Sequence, residues 1–100
     1  MKAKVLIIED VKEIAELIEM YLSREDIQSV ICESAEKGLA SFVRQRFDLI
    51  ILDLNLPGMD GFEFLTEVRK NSSVPVIIVS ARDSDEDLVV ALGIGADEFV

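Results

Sequence analysis

Short apolar runs and amphipathic segments take strict turns along this chain, and that alternation constrains the fold more than any other feature. Val5-Leu6-Ile7-Ile8 is apolar throughout and rich in β-branched residues, the pattern of a strand buried on both faces. The period then changes. Ile14, Leu17, Ile18, Tyr21 and Leu22 fall at i, i+3, i+4, i+7 and i+8, one apolar stripe of a helix over residues 11–23. Ile27 to Cys32 reads as a weaker strand. Ser34 is suited to cap a helix with Ala35, Leu39, Phe42 and Val43 on one face, with Gly38 working against it. Leu49-Ile50-Ile51-Leu52 is the third strand. Pro57-Gly58 is turn chemistry, after which Asp60, with Glu63 at the capping-box position, opens a helix to about Lys70. Pro75 starts a fourth strand, Val76 to Val79, where a missing N–H is tolerated. Ser84 and the acids Asp85, Glu86 and Asp87 open a fourth helix at the positive end of its dipole, and Gly93 and Gly95 end it. Glu98-Phe99-Val100 begins a fifth strand. The order βαβαβαβαβ predicts an α/β domain, a parallel sheet with helices on both faces.

The chain has 100 residues, enough for one domain spanning 1–100 and not two. Its net charge of −10, from 10 basic and 20 acidic residues, repels phosphate backbones and anionic lipid. Direct nucleic-acid binding and membrane association by this segment are therefore not expected. No apolar run is long enough to span a bilayer. Met1-Lys2-Ala3-Lys4 leads into only four apolar residues before Glu9 and Asp10, so no signal peptide is expected either. Cys32 is the single cysteine and reads as a buried, inert thiol. A cytoplasmic protein fits these features.

The chemistry lies where the apolar runs stop. Glu9 and Asp10 end the first, Asp53 the third and Ser80 the fourth. In an open parallel sheet the carboxyl ends of the strands face the ligand crevice. Each residue also has an ordinary explanation. Asp10 alone would be a helix N-cap, with Glu13 completing a capping box; Glu9 would be solvated; Asp53 and Ser80 would be turn residues. Together they are harder to explain so. Two carboxylates about 4 Å apart repel by roughly 4 kcal/mol at an effective dielectric near 20, so three on one rim must share a proton or bind a cation. With no His in the chain and no Cys nearby, the donors are oxygens, which selects Mg²⁺, Mn²⁺ or Ca²⁺ over zinc. An open rim with few protein ligands suits Mg²⁺.

Glu9-Asp10, the stretch Asp53-Leu54-Asn55-Leu56-Pro57-Gly58-Met59-Asp60-Gly61, Ser80-Ala81-Arg82 and Gly95-Ala96-Asp97-Glu98-Phe99-Val100 together resemble a response-regulator receiver domain of two-component signalling. The resemblance runs the length of the chain and is most like receivers that precede winged-helix DNA-binding domains. It implies a flavodoxin-like (CheY-like) doubly wound sheet in the order 2-1-3-4-5. It implies that Asp53 is a phosphoacceptor, attacking the phosphoryl group of a sensor histidine kinase's phosphohistidine. Asp10 would bind Mg²⁺ directly, Glu9 mostly through a water, and the Asn55 backbone carbonyl would add another ligand. Ser80 would hydrogen-bond the phosphoryl group, and Phe99 matches the aromatic switch position. Such a domain is a phosphoacceptor, not an enzyme that turns over a substrate.

The family places a Lys, then a Pro, two positions beyond Val100, and the rest of the fifth strand and a fifth helix beyond that. The chain therefore reads as a truncated receiver. Right-handed crossovers put the first helix on one face and the next three on the other. The first face would then be covered by the Ile14–Leu22 stripe alone, and self-association or packing against another chain is expected there. The absent Lys also supports a different reading, a fragment that keeps the fold without switching. A phosphohydrolase with an aspartyl intermediate would want a second acid where Asn55 stands. A flavin-binding protein would place a hydroxyl-rich phosphate loop where Glu9 and Asp10 stand.

Overall fold

The computed structural model describes residues 2–80 and 85–100. Five strands and four helices alternate: β1 (Lys4–Ile8), α1 (Lys12–Arg24), β2 (Gln28–Cys32), α2 (Ala35–Arg44), β3 (Leu49–Leu52), α3 (Gly61–Arg69), β4 (Val76–Ile78), α4 (Asp85–Ile94) and β5 (Glu98–Phe99). All four pairings are parallel, and the strand order is 2-1-3-4-5. The expected fold class is the observed one.

The side-chain alternation of the strands sorts the core into two layers. Leu6 and Ile8 of β1, Ile50 and Leu52 of β3, and Val76 and Ile78 of β4 face one way. They join Ala35, Phe64, Leu65, Val68 and Ala91 in the main core under α2, α3 and α4. Val5 and Ile7 face the other way, against Ala15 of α1. The first helix thus lies alone, among the described residues, on its face of the sheet.

The α1 stripe divides. Ile18 and Leu22 pack on the sheet, whereas Ile14, Leu17 and Tyr21 are 44%, 51% and 56% exposed. A helix lying on a sheet buries only a narrow strip, and the flank of a wider stripe stays in water unless a second element covers it. Across the sheet, Leu49 and Ile51 are only partly buried on this face.

Several ends are capped as the sequence predicts. Ser34 accepts a hydrogen bond from the Lys37 N–H at 3.2 Å, and Asp60 accepts one from the Glu63 N–H at 3.0 Å. One ordinary explanation is excluded and one expectation is corrected. Asp10 does not cap α1; Val11 occupies that position with no side-chain cap, and its carbonyl accepts from Ile14 and Ala15. Gly93 does not end α4, which runs on to Ile94. The chain leaves the helix at Gly95, with φ at +123°, where the Ala96 N–H returns to the Ala91 carbonyl at 3.0 Å. The expected cap at Ser84, and Ala81 and Arg82, lie outside the described residues.

Candidate functional site

The register brings the carboxyl ends of the central strands level. Ile8 pairs with Cys32 and with Leu52, and Leu52 with Ile78. One further hydrogen bond per strand then fixes the residue just past each end. The Glu9 N–H donates to the Cys32 carbonyl at 3.0 Å, the Asp53 N–H to the Ile8 carbonyl at 3.0 Å, and the Val79 N–H to the Leu52 carbonyl at 3.0 Å. Glu9 and Asp53 therefore stand side by side, 44 positions apart in sequence, because the ladder continues one residue beyond the strands.

Glu9, Asp10 and Asp53 each present a carboxylate oxygen within 4.8 Å of the others'. Glu9 is 6% exposed, which excludes the solvated reading of it. Its Oε2 accepts from the Val11 N–H at 3.1 Å, and this bond at the helix entrance takes the place of an Asp10 cap. The Asp10 carboxylate is exposed at the site. Asp53 is half-buried, and its Oδ1 accepts from the Asn55 N–H at 3.2 Å. That bond is the local contact of a turn residue, and it also orients the carboxylate.

The electrostatics are those of crowded acids. Burial, above all, pushes the Glu9 carboxyl up to about 7; the Val11 N–H opposes the shift, and the Asp53 charge and hydrogen bonds with Asp10 and Asp53 add to it. A hollow lined by Glu9, Asp10, Val11, Ile14, Asp53, Asn55 and Val79 opens over the cluster, with no cationic side chain in its described lining. These donors are all hard oxygens, a set that fits Mg²⁺.

The loop after β3 is built around this site. Leu54 and Leu56 are buried and point Asn55 outward between them. The Gly61 N–H closes the loop on the Leu54 carbonyl at 3.0 Å. A Cβ at Gly61 would sit 2.7 Å from the Leu54 Cα and 2.8 Å from the Asp53 carbonyl oxygen, so α3 packs against this loop only without a side chain there.

Ser80 follows β4 on the same rim and is half-buried, but Val79, not Ser80, lines the hollow. Phe99 lies two strands away from Asp53, paired with Ile78, its ring packed against the main core. Sequence reasoning did not single out Glu36, whose Oε2 accepts from the Met59 N–H at 3.2 Å across the loop. An exposed helical Glu carries no sequence signal for such a role. Cys32 is buried, and burial pushes its thiol up, as an inert core cysteine requires.

A parallel sheet in the order 2-1-3-4-5 with acids converging at its carboxyl rim defines a class, and comparison with known proteins agrees. Residues 5–100 match the response regulator receiver domain, and the chain belongs to that family. It is 43% identical over 96 residues to the sensory transduction protein RegX3 of Mycolicibacterium smegmatis, covering 96% of this chain and 42% of that protein. It is 42% identical over 95 residues to the transcriptional regulatory protein AfsQ1 of Streptomyces coelicolor, covering 95% and 42%. The chain thus spans about two fifths of the length of these relatives. Among solved structures, a CheY-like receiver domain protein from Methanospirillum hungatei superposes with a TM-score of 0.94 at 29% identity, over 100% of this chain and 81% of that one. The BeF3-activated N-terminal receiver domain of Klebsiella pneumoniae RstA gives 0.93 at 29%, over 97% and 83%.

Proposed function

We propose that this chain is a cytoplasmic phosphoacceptor domain that takes a phosphoryl group from a sensor histidine kinase onto Asp53. The observation that carries the reading is the convergence of Glu9, Asp10 and Asp53 within 4.8 Å at the rim of the sheet. The Asp53 carboxylate attacks phosphorus, an O–P bond forms as the P–N bond to the phosphohistidine breaks, and the imidazole leaves with the electron pair. The product is an acyl phosphate on Asp53. Asp10, Asp53 and the Asn55 backbone carbonyl would hold Mg²⁺, with Glu9 acting through a water; when bound, the ion supplies the positive charge that offsets phosphate against carboxylate. The Asn55 N–H orients the nucleophile, and buried Leu54 and Leu56 hold the loop that carries it. Ser80 would hydrogen-bond the transferred group, and Phe99 would change its packing when Ser80 moves. The domain changes state and does not turn over a substrate. Association with a second copy through the exposed Ile14, Leu17 and Tyr21 belongs to the same proposal.

A small-molecule phosphodonor with Mg²⁺ tests this. Intact-mass measurement should show one phosphoryl group on the chain and none on Asp53→Asn. No adduct on the wild-type chain refutes the phosphoacceptor reading. It would favour the second one, a receiver fold that does not switch.

A further inference from the structure

Glu36 stands outside the carboxylate cluster, yet its geometry ties it to both halves of the site. It lies in the first turn of α2, and its Oε2 accepts from the Met59 N–H at 3.2 Å, joining residues 23 positions apart. The contact is close. Gly58 has φ at +72°, and a Cβ there would lie 2.6 Å from that same oxygen, so the carboxylate rests on bare backbone at the tip of the loop. The base of the loop is held by other means, namely the bonds from Asn55 to Asp53 Oδ1, from Leu56 to the Leu54 carbonyl, and from Gly61 to the Leu54 carbonyl. The base leaves the tip to be fixed from outside, and Glu36 does that.

The other end of the tether is rigid. Ala35 and Gly38 of α2 are buried, and Gly38 stands against Ile8 and Phe64. Only Glu33 and Ser34 separate α2 from Cys32, whose carbonyl receives the Glu9 N–H. One helix turn thus links the strand end that positions Glu9 to the loop that carries Asn55. We infer that Glu36 is a positioning residue for the Asp53 site, holding the loop so that the Asn55 carbonyl faces Glu9, Asp10 and Asp53. This rests on the phosphoacceptor reading and its Mg²⁺ site. A carboxylate accepting from a backbone N–H is a charge-assisted bond, stronger than a neutral one.

The test is a Mg²⁺ titration of the 100-residue chain, followed by backbone amide chemical shifts, with hydrogen exchange measured in the metal-free state. Glu36→Ala should weaken Mg²⁺ binding roughly tenfold, the low end of what residues behind a metal ligand contribute. The Met59 and Asn55 amides should exchange faster without metal. Glu36→Gln keeps an acceptor oxygen and should stay within about twofold of wild type. Glu33→Ala, one turn away and paired with Lys37, should leave the affinity unchanged. Should Glu36→Ala fail to fold, which the same spectra report, Glu36→Met deletes the acceptor while keeping the stem. A wild-type chain that binds Mg²⁺ and an acceptor-deleted variant of equal affinity would overturn the role of Glu36. A wild-type chain that does not bind Mg²⁺ would overturn the site reading on which it rests.

Discussion

Replacing Glu9 with Gln should make the metal-free chain more stable at pH 8 and remove most of its dependence on pH between 5 and 8. Glu9 is buried among acids, and its carboxyl is pushed from the ordinary 4.5 up to about 7. The folded state therefore holds the Glu9 proton more tightly than the unfolded chain does. That preference stabilises the fold fully below about pH 4.5, and it is lost as pH rises to about 7 and beyond. A rise from 4.5 to about 7 corresponds to about 3 kcal/mol at most. Gln cannot ionise, and its side-chain oxygen can still accept from the Val11 N–H, so the variant escapes the loss. For a domain of this size, about 3 kcal/mol is a shift in Tm of roughly 12–24 °C. Thermal unfolding by circular dichroism in chelator, at pH 5, 6, 7 and 8, reads it directly. Wild type should lose stability through this window while Glu9→Gln stays nearly level. Added Mg²⁺ should raise wild type most at pH 8, since a ligand of the folded state stabilises by mass action. A flat wild-type profile, or a Gln variant less stable than wild type at pH 8, would refute the argument that burial strains this cluster.

Three further outcomes are expected. Asp53→Asn should abolish the covalent phosphate and raise the metal-free Tm, because it removes a charge facing Glu9; an unchanged or lower Tm would count against that repulsion. Arg69→Leu should cost about 1–3 kcal/mol in chemical denaturation. Its guanidinium bonds the Gly95 carbonyl at 2.9 Å and Asp97 Oδ2 at 3.0 Å, and that carboxylate also accepts from the Val76 N–H at 2.8 Å, so the change opens the knot where α3, β4 and β5 meet. Leu17→Ser with Tyr21→Ser should abolish concentration-dependent association of the wild-type chain in sedimentation; high salt, which screens the charge of −10, should promote association in wild type. A wild-type chain that stays monomeric at every salt concentration would dispose of that interface.

The readable parts of this protein obey short-range rules. Residue period distinguishes Val5 to Ile8 from the Ile14–Leu22 stripe, and the Ser34 and Asp60 caps need only the three residues that follow. Two local readings failed for the same reason, that each had a competitor nearby. Asp is a far better N-cap than Val by residue type, and Gly93 stood beside Gly95 as a stop; backbone hydrogen bonds nevertheless put Val11 at the entrance of α1 and Gly95 at the exit of α4. The sequence alone also placed acids after the first and third strands, and with them the candidate nucleophile Asp53.

Tertiary structure decided what no window of residues contains. Parallel register made Glu9 and Asp53 neighbours, and the fold around them buried the Glu9 carboxylate, which is why its proton is held more tightly than in the open chain. Packing of a cylinder on a sheet left Ile14, Leu17 and Tyr21 in water although they share a stripe with Ile18 and Leu22. Packing α2 over β1 and β2 and beside α3 set Glu36 on Met59, and folding β5 beside β4 set Asp97 against Arg69 and Val76. Periodicity and capping are encoded within a few residues and can be read there. Convergence depends on where whole elements come to rest, and hydrogen bonds between strands settle that.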